Sequence, residues 1–186
     1  MPVPRVMAGS LVLLAALAAC GGAPAGAPQP APTTPQATSQ TSAATPASST
    51  PAVPDQLKFT AKTVDGKELN GADLAGKPIV LWFWAPWCPK CQREAPGMAA
   101  AAKEHAGKVT FLGVAALDKV PAMQQFVQKH GLQSFQHIAD EDSAVWKRFG
   151  VTAQPAYAFV GADGKVDVVT SQLSEEDLKQ RLSKIA

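Results

Sequence analysis

At 186 residues, the chain is long enough for one domain with an additional segment, because domains cluster at about 100 to 150 residues. Its 17 basic and 15 acidic side chains leave a formal net charge of +2, which is too small a basic excess for binding a nucleic-acid backbone. Nucleic acid is therefore not an expected partner. The three cysteines, Cys20, Cys88 and Cys91, form no disulfide framework, since one is left over and the other two lie within a few residues of each other.

Residues 1–20 have the pattern of an export signal, with one cation at Arg5, an apolar run and a small-residue boundary. A membrane-spanning anchor is the weaker alternative, because the uncharged apolar stretch 6–19 is shorter than the ~20 residues that cross a bilayer. The last four residues of the signal, Leu-Ala-Ala-Cys, resemble the lipobox of bacterial lipoproteins. That resemblance implies that Cys20 is lipidated and becomes the new N-terminus, while ordinary signal-peptide cleavage stays open.

Residues 21–54 consist almost entirely of Ala, Pro, Thr, Ser, Gln and Gly, without an aromatic residue or a charge. Such a composition buries too little apolar area to offset the entropy of ordering, so it predicts a disordered tether. The remaining residues, 55–186, are numerous enough to fold as a domain on their own. With Cys20 lipidated, the tether would keep this domain near the membrane.

The first elements of the domain are a hairpin and a buried strand. Residues 59–64 and 67–69, joined by Asp65-Gly66, predict a hairpin with a type I′ turn. The continuous apolar run 79–84 is typical of a strand that is buried on both faces.

Helical and strand patterns alternate through the rest of the domain. Helices are predicted at 90–105, with an interruption at Pro96, and at 120–130, 143–149 and 174–185, and strands at 109–115, 156–160 and 166–169. This alternation predicts an α/β fold with helices on both faces of the sheet.

Cys88 and Cys91 lie where the buried strand gives way to the first helix. At a helix N-terminus the unpaired N–H groups and the dipole favour the thiolate form of the first cysteine, and Pro89 suits the first helical position. The second cysteine, one turn on, is placed to resolve the mixed disulfide that the first one forms. The pattern therefore predicts thiol-disulfide exchange with Cys88 as nucleophile and Cys91 as resolving thiol. The pair is itself the redox group, and no other cofactor or metal is expected.

Three other uses of a Cys-x-x-Cys pair fit the sequence less well. A zinc site needs a second ligand pair, whereas His105, His130 and His137 are dispersed. A c-type haem attachment needs His directly after the second cysteine, where this chain has Gln92. A structural disulfide within the pair closes too small a loop to restrict the unfolded chain much.

Residues 83–91, Phe-Trp-Ala-Pro-Trp-Cys-Pro-Lys-Cys, followed by Glu94 and Pro96, resemble the extracytoplasmic thioredoxin-like proteins of the TlpA, ResA and DsbE type. The resemblance covers about residues 57–186 and looks closest to secreted DsbE-like proteins of actinobacteria. It implies a thioredoxin-like α/β fold, with a central mixed sheet, helices on both faces and an N-terminal β-hairpin extension. It also implies a protein-disulfide oxidoreductase that works outside the cytoplasm.

The resemblance assigns roles to further residues. Gln154-Pro155 matches the loop that faces the cysteine pair with a cis-proline and offers backbone hydrogen bonds to a substrate chain; a trans-proline at the start of a strand is the alternative. Trp87, directly before the nucleophile, is expected to form part of the substrate platform; a partly exposed packing residue is the compatible alternative. Trp82 stands where thioredoxin has a buried acid and so removes that proton acceptor. Glu94 matches an acidic residue of the TlpA and ResA type, either as a general base for Cys91 or as a plain solvated carboxylate.

Two directions of electron flow are compatible with these residues. The favoured one is a dithiol oxidase that introduces disulfides into reduced or misoxidised exported proteins and is recycled by a membrane redox partner. The alternative is a ResA-type reductase that serves cytochrome c maturation. A copper-handling module on the same fold is the third hypothesis, and it lacks a methionine or histidine close to the cysteine pair. The protein is expected to be a monomer, held at the cell membrane by a lipid anchor at Cys20 or otherwise secreted.

Overall fold

The computed structural model describes residues 52–186. The export signal, Cys20 and nearly all of the predicted tether therefore lie outside the described residues. The strands are β1 Thr60–Lys62, β2 Glu68–Asn70, β3 Ile79–Trp84, β4 Thr110–Ala115, β5 Gln136–Ala139, β6 Ala156–Val160 and β7 Val166–Val169. The helices are α1 Pro89–Glu104, α2 Val120–Lys129, α3 Ala144–Arg148 and α4 Glu175–Ile185, and short 3-10 turns lie at Asp55–Leu57 and Gly71–Leu74.

Five strands form one mixed sheet in the order β5-β4-β3-β6-β7. Strand β3 runs parallel to β4 and antiparallel to β6, so it lies at the centre with a partner on each side. All six residues of β3 are buried, which confirms the prediction from its unbroken apolar run. Strands β1 and β2 form the separate N-terminal hairpin, which also confirms its prediction.

Each face of the sheet has its own apolar core. On one face, Trp82 and Trp84 of β3 pack with residues of α1, α2 and α4. On the other face, Phe83 meets the edge of the Trp146 ring of α3, and the N-terminal hairpin covers the same core. Side chains of successive β3 residues point to opposite faces, so one strand anchors both cores. The α/β arrangement with helices on both faces is thus confirmed.

Helix α1 is not interrupted at Pro96, contrary to the sequence prediction. A proline inside a helix removes one backbone hydrogen bond and crowds the preceding turn. Cys91, Ala95 and Met98 of the same helix are buried against the sheet, and this packing holds the helix together across the proline.

The turn between β1 and β2 is also different from the predicted type I′ turn. That turn needs positive φ at both central residues, whereas Gly66, with φ of 83°, is the one residue of this loop in the left-handed region. Hydrogen bonds from Gly66 N–H to the Thr63 carbonyl and from Thr63 N–H to the Lys67 carbonyl close a three-residue loop. Such loops combine a type I turn with a glycine bulge, so Asp-Gly still marks the hairpin but with a longer connection.

Strand β5 was absent from the sequence prediction. It is short and begins with Gln136 and His137, which break the apolar pattern of a buried strand. Its pairing with β4 and the bridge between Thr63 and Ile138 hold it in place. No helix among residues 52–186 is long and apolar enough to cross a membrane.

His137 is a polar side chain inside the first core, with 2% of its surface exposed. Its Nε2 donates a hydrogen bond to the Leu132 carbonyl at 3.0 Å, while Nδ1 has no partner in the described part of the chain. Gly113 on the neighbouring strand makes room for the ring, because a Cβ at that position would collide with Nδ1. Burial lowers the pKa of His137 to about 4, so the folded protein keeps a neutral imidazole.

We expect the free energy of unfolding to fall as the pH drops from 6.5 towards 4, in part because of His137. The unfolded chain binds a proton on this side chain near its ordinary pKa of about 6.5, whereas the folded protein does so only near 4. A His137→Gln variant, measured by urea unfolding across this range, should lose less stability than the wild type. Equal pH dependence in the two proteins would contradict this assignment.

Candidate active site

Cys88 occupies the N-cap of α1, four residues after the end of β3. Its Sγ accepts a hydrogen bond from the backbone N–H of Cys91 at 3.2 Å, and Pro89 takes the first helical position, as the sequence predicts. Both thiols are free, with 3% of Cys88 and none of Cys91 exposed. The end of β3 therefore places the Cys88 sulfur at the N-terminus of α1, and Cys91 follows one helical turn later.

The surroundings of Cys91 keep it protonated. Burial raises the pKa of the Cys91 thiol, and the hydrogen bond with Cys88 and the negative charges of Cys88 and Glu94 act in the same direction. A hydrogen bond from the Ala85 backbone opposes these effects without cancelling them. The two sulfurs thus have different surroundings: Cys88 caps the helix, where backbone N–H groups are unpaired, and the raised pKa of Cys91 keeps its thiol protonated.

Glu94 is the carboxyl group of α1 whose charge acts on Cys91. Burial raises the pKa of its carboxyl group, while interactions with Tyr157 and Trp82 lower it. The indole Nε1 of Trp82 donates to Glu94 Oε2 at 3.3 Å, and Oε1 is buried without a hydrogen-bond partner in the described region. Trp82, which the resemblance matches to the buried acid of thioredoxin, therefore donates a hydrogen bond to an acid that comes from α1.

Tyr157 on β6 completes this cluster, and the sequence analysis did not identify it. Its ring is 1% exposed, and burial together with Glu94 and Cys91 raises the pKa of its hydroxyl group. One signal was available in the sequence, because Tyr157 is the only tyrosine of the chain and lies two residues after Pro155 in an otherwise apolar strand.

The Gln154–Pro155 peptide bond is cis, as expected from the resemblance. Phe83 pairs with Ala156 in the antiparallel ladder, so the register sets Pro155 beside the end of β3 from which the chain continues to Cys88. Pro155 is buried and Gln154 is half-buried. The proline loop and the cysteine pair therefore share one end of the sheet.

An exposed apolar surface lies at the same end. Trp87 is 53% exposed, and its Nε1 donates a hydrogen bond to the Leu117 carbonyl at 3.0 Å. Leu117 is 46% exposed and has a φ of 62°, which a branched side chain rarely adopts. Sequence reasoning identified Trp87 but not Leu117, because nothing in the run Ala-Ala-Leu-Asp marks an outward-facing leucine.

The fold and the cysteine site together define a thiol-disulfide oxidoreductase of thioredoxin-like fold. The model of the AhpC/TSA family matches residues 52–169, and the chain belongs to this family.

Three similar proteins support this assignment. The chain is 43% identical over 135 residues to the Soluble secreted antigen MPT53 of Mycobacterium tuberculosis, which covers 71% of this chain and 77% of the relative. It is 30% identical over 129 residues to the thiol-disulfide oxidoreductase ResA of Geobacillus thermodenitrificans, covering 68% of this chain and 74% of ResA. The solved structure of MTB dsbF in its mixed oxidized and reduced forms matches with a TM-score of 0.71 and 54% identity, covering 73% of this chain and 100% of that one. The predicted fold and enzyme class are thereby confirmed.

We expect the two thiols of the reduced protein to react at very different rates. Iodoacetamide at pH 7 should modify Cys88 in a Cys91→Ala variant at least about tenfold faster than Cys91 in a Cys88→Ala variant, because only thiolates are nucleophilic and Cys91 is buried with a raised pKa. Peptide mass spectrometry over time measures each site separately. Similar rates at both sites would contradict the assigned roles.

Proposed function

We propose that the protein is a dithiol oxidase that introduces disulfides into exported proteins. The observation that carries this proposal is the position of Cys88 at the start of a 16-residue helix, where Sγ accepts the Cys91 N–H at 3.2 Å. These donors stabilise a thiolate, which exists only in the dithiol form. Stabilising the dithiol form makes the disulfide form a stronger oxidant.

The oxidation proceeds by two exchanges. A substrate thiolate attacks Cys88 Sγ of the Cys88–Cys91 disulfide, and Cys91 leaves as a thiolate that takes up a proton. A second substrate thiolate then attacks the substrate sulfur of the mixed disulfide, and Cys88 leaves as the stabilised thiolate. Two substrate thiols become one disulfide, and the protein gains two electrons. A membrane redox partner has to remove these electrons before the next turnover.

The substrates of this proposal are reduced or misoxidised exported proteins that bind across the end of the sheet. Trp87 and Leu117 offer apolar side chains for an unfolded segment, and both are exposed. The backbone at Gln154 and Pro155 offers strand-like hydrogen bonds to the same segment. An extended chain lying across this surface would present its cysteine to Cys88.

A reductase of the ResA type is the second candidate, and the negative charge of Glu94 that acts on Cys91 favours it. In a reductase, Cys91 must attack the mixed disulfide that Cys88 forms with the substrate. A neighbouring carboxylate that accepts the proton of the Cys91 thiol assists this attack. The similarity to ResA points the same way.

The reduction potential distinguishes the two functions. We expect a potential above about −200 mV for the Cys88–Cys91 couple, in the range of disulfide isomerases and stronger oxidants. Equilibration of the protein with glutathione buffers, followed by mass spectrometry of trapped thiols, measures this value, and Cys88→Ala serves as the inactive control with a reduced model substrate. A potential at or below about −270 mV, which is that of thioredoxin, would overturn the oxidase in favour of the reductase.

We propose that this chemistry takes place outside the cytoplasm, with the protein held at the cell membrane through a lipid on Cys20. The export signal and the similarity to a protein named as a secreted antigen support the first part of this proposal, and the lipobox resemblance supports the second. Metabolic labelling with a radioactive fatty acid should mark the wild type and leave a Cys20→Ala variant unmarked. Equal labelling of the two would contradict the anchor.

A further inference from the structure

The sheet has two ends, and the cysteine site lies at one of them. Strand β3 ends at Trp84, from which the chain continues to Cys88, and its six residues span about 20 Å. At the other end Ile79, the first residue of β3, pairs with the first residue of β4 and with the last residue of β6. We call this opposite side the basal end of the domain. It comprises the segments that precede β3 and β4 and the turn 161–165 between β6 and β7.

The described chain begins at the basal end. Gly164 lies in the turn between β6 and β7, and a Cβ at this position would lie 3.4 Å from Cγ of Pro54 and 3.5 Å from the carbonyl oxygen of Ala52. The first described residues therefore lie against that turn. Cys20 precedes Ala52 by 32 residues, so a lipid on Cys20 would be joined to the domain at the end that is remote from Cys88.

Four exposed lysines lie at the basal end, and we refer to them as the basal lysines. Lys77 and Lys108 each stand two residues before a strand, β3 and β4 respectively. Lys103 belongs to the last turn of α1, which starts at the cysteine site and is about 24 Å long. Lys184, in the last turn of α4, lines a hollow beside the turn between β6 and β7.

The basal end has an excess of positive charge. None of the basal lysines forms an ion pair with another described residue. Lys165 of the same end is paired with Asp163 at 2.8 Å. The acidic side chains that lack an ion-pair partner in this part of the described chain are Asp73 and Glu104, so the free lysines outnumber them.

The cysteine end has the opposite balance. The segments that follow β4 and β5 there contain four acidic side chains and one lysine, which are Asp118, Asp140, Glu141, Asp142 and Lys119. Lys90 and Arg93 at the start of α1 offset part of this negative charge. The domain is therefore electrically polar, with its positive side at the end where the described chain begins.

We propose that the basal lysines bind the surface of a bilayer that contains anionic lipid, and that the Cys88 site then faces away from this surface. The proposal rests on the proposed anchoring of the protein at the cell membrane. Anionic headgroups attract lysine side chains that lie within a Debye length of the surface. A lipid on Cys20 would already hold the domain near the bilayer, so the lysines have only to orient it.

This orientation suits an oxidase of exported proteins. Substrate chains reach Trp87 and Cys88 from the side away from the bilayer, without passing between the domain and the lipid. The acidic segments at the cysteine end are repelled by the same anionic surface, which disfavours the reversed orientation.

The test compares the acetylation rates of individual lysines in the full-length chain on two kinds of vesicle, one of phosphatidylcholine alone and one with about a third of phosphatidylglycerol. The apolar run 6–19 should hold the chain on both kinds. A water-soluble N-hydroxysuccinimide ester of acetic acid modifies the lysines, and peptide mass spectrometry follows each site. On the anionic vesicles the basal lysines should react at least about threefold more slowly, whereas Lys90 and Lys119 should be unchanged. About 0.5 M salt should remove the difference.

Lys165 serves as the reporter in two variants of equal net charge. One variant replaces all four basal lysines by glutamine. The control carries the same change at four lysines elsewhere on the domain, which are Lys62, Lys90, Lys119 and Lys147. The basal variant should lose most of the protection of Lys165 on anionic vesicles, and the control should keep it, because only the basal lysines face the lipid.

Equal acetylation of the basal lysines on both kinds of vesicle would overturn the orientation, and so would protection of Lys90 and Lys119 to the same degree. Equal loss of Lys165 protection in the two variants would assign the effect to total charge and would also overturn it. Protection by soluble polyglutamate as strong as that by the vesicles would exclude the bilayer as the specific partner. Oxidation of a reduced model substrate is measured on the same samples, and its absence in the wild type would instead overturn the proposed function.

Discussion

The hydrogen bond from the Cys91 N–H to the Cys88 sulfur, at the first turn of α1, is the contact on which the site depends. It forms because four residues separate the end of β3 from the start of α1, and the last of these, Cys88, caps the helix that contains Cys91. Backbone N–H groups at a helix start have no partner within the helix, and a thiolate satisfies them. The central strand and the helix start together fix the position of the sulfur.

The same turn makes the two cysteines unlike each other. Both cysteines belong to the first core, but Cys88 caps the start of α1 with 3% of its surface exposed, whereas Cys91 within the helix has none exposed. Burial disfavours the Cys91 thiolate and so raises the pKa of its thiol. Glu94, held by the Trp82 indole, lies one turn further along the helix on the same side. Cys88, Cys91 and Glu94 therefore follow one another along the first two turns of one helix.

Much of this arrangement could be predicted from sequence because it is local. Strand β3 and the helix start at Cys88 depend on neighbours along the chain. The predictions that failed depended on distant packing. Helix α1 continues through Pro96 because it packs against the sheet. Strand β5, a short segment that begins with polar residues, forms because it pairs with the edge strand β4.

By itself, the sequence predicted the redox pair and the α/β fold class, since motif spacing and alternating patterns are properties of the chain, and the family resemblance added the cis-proline at position 155. Only the tertiary structure decided which residues surround Cys91. Tyr157 and Glu94 are far apart along the chain and meet because β6 pairs with β3 beneath α1. The exposed leucine at position 117 likewise joins Trp87 through a hydrogen bond across 30 residues. Burial and the electrostatic environment arise from such long-range contacts, which no local pattern in a single sequence specifies.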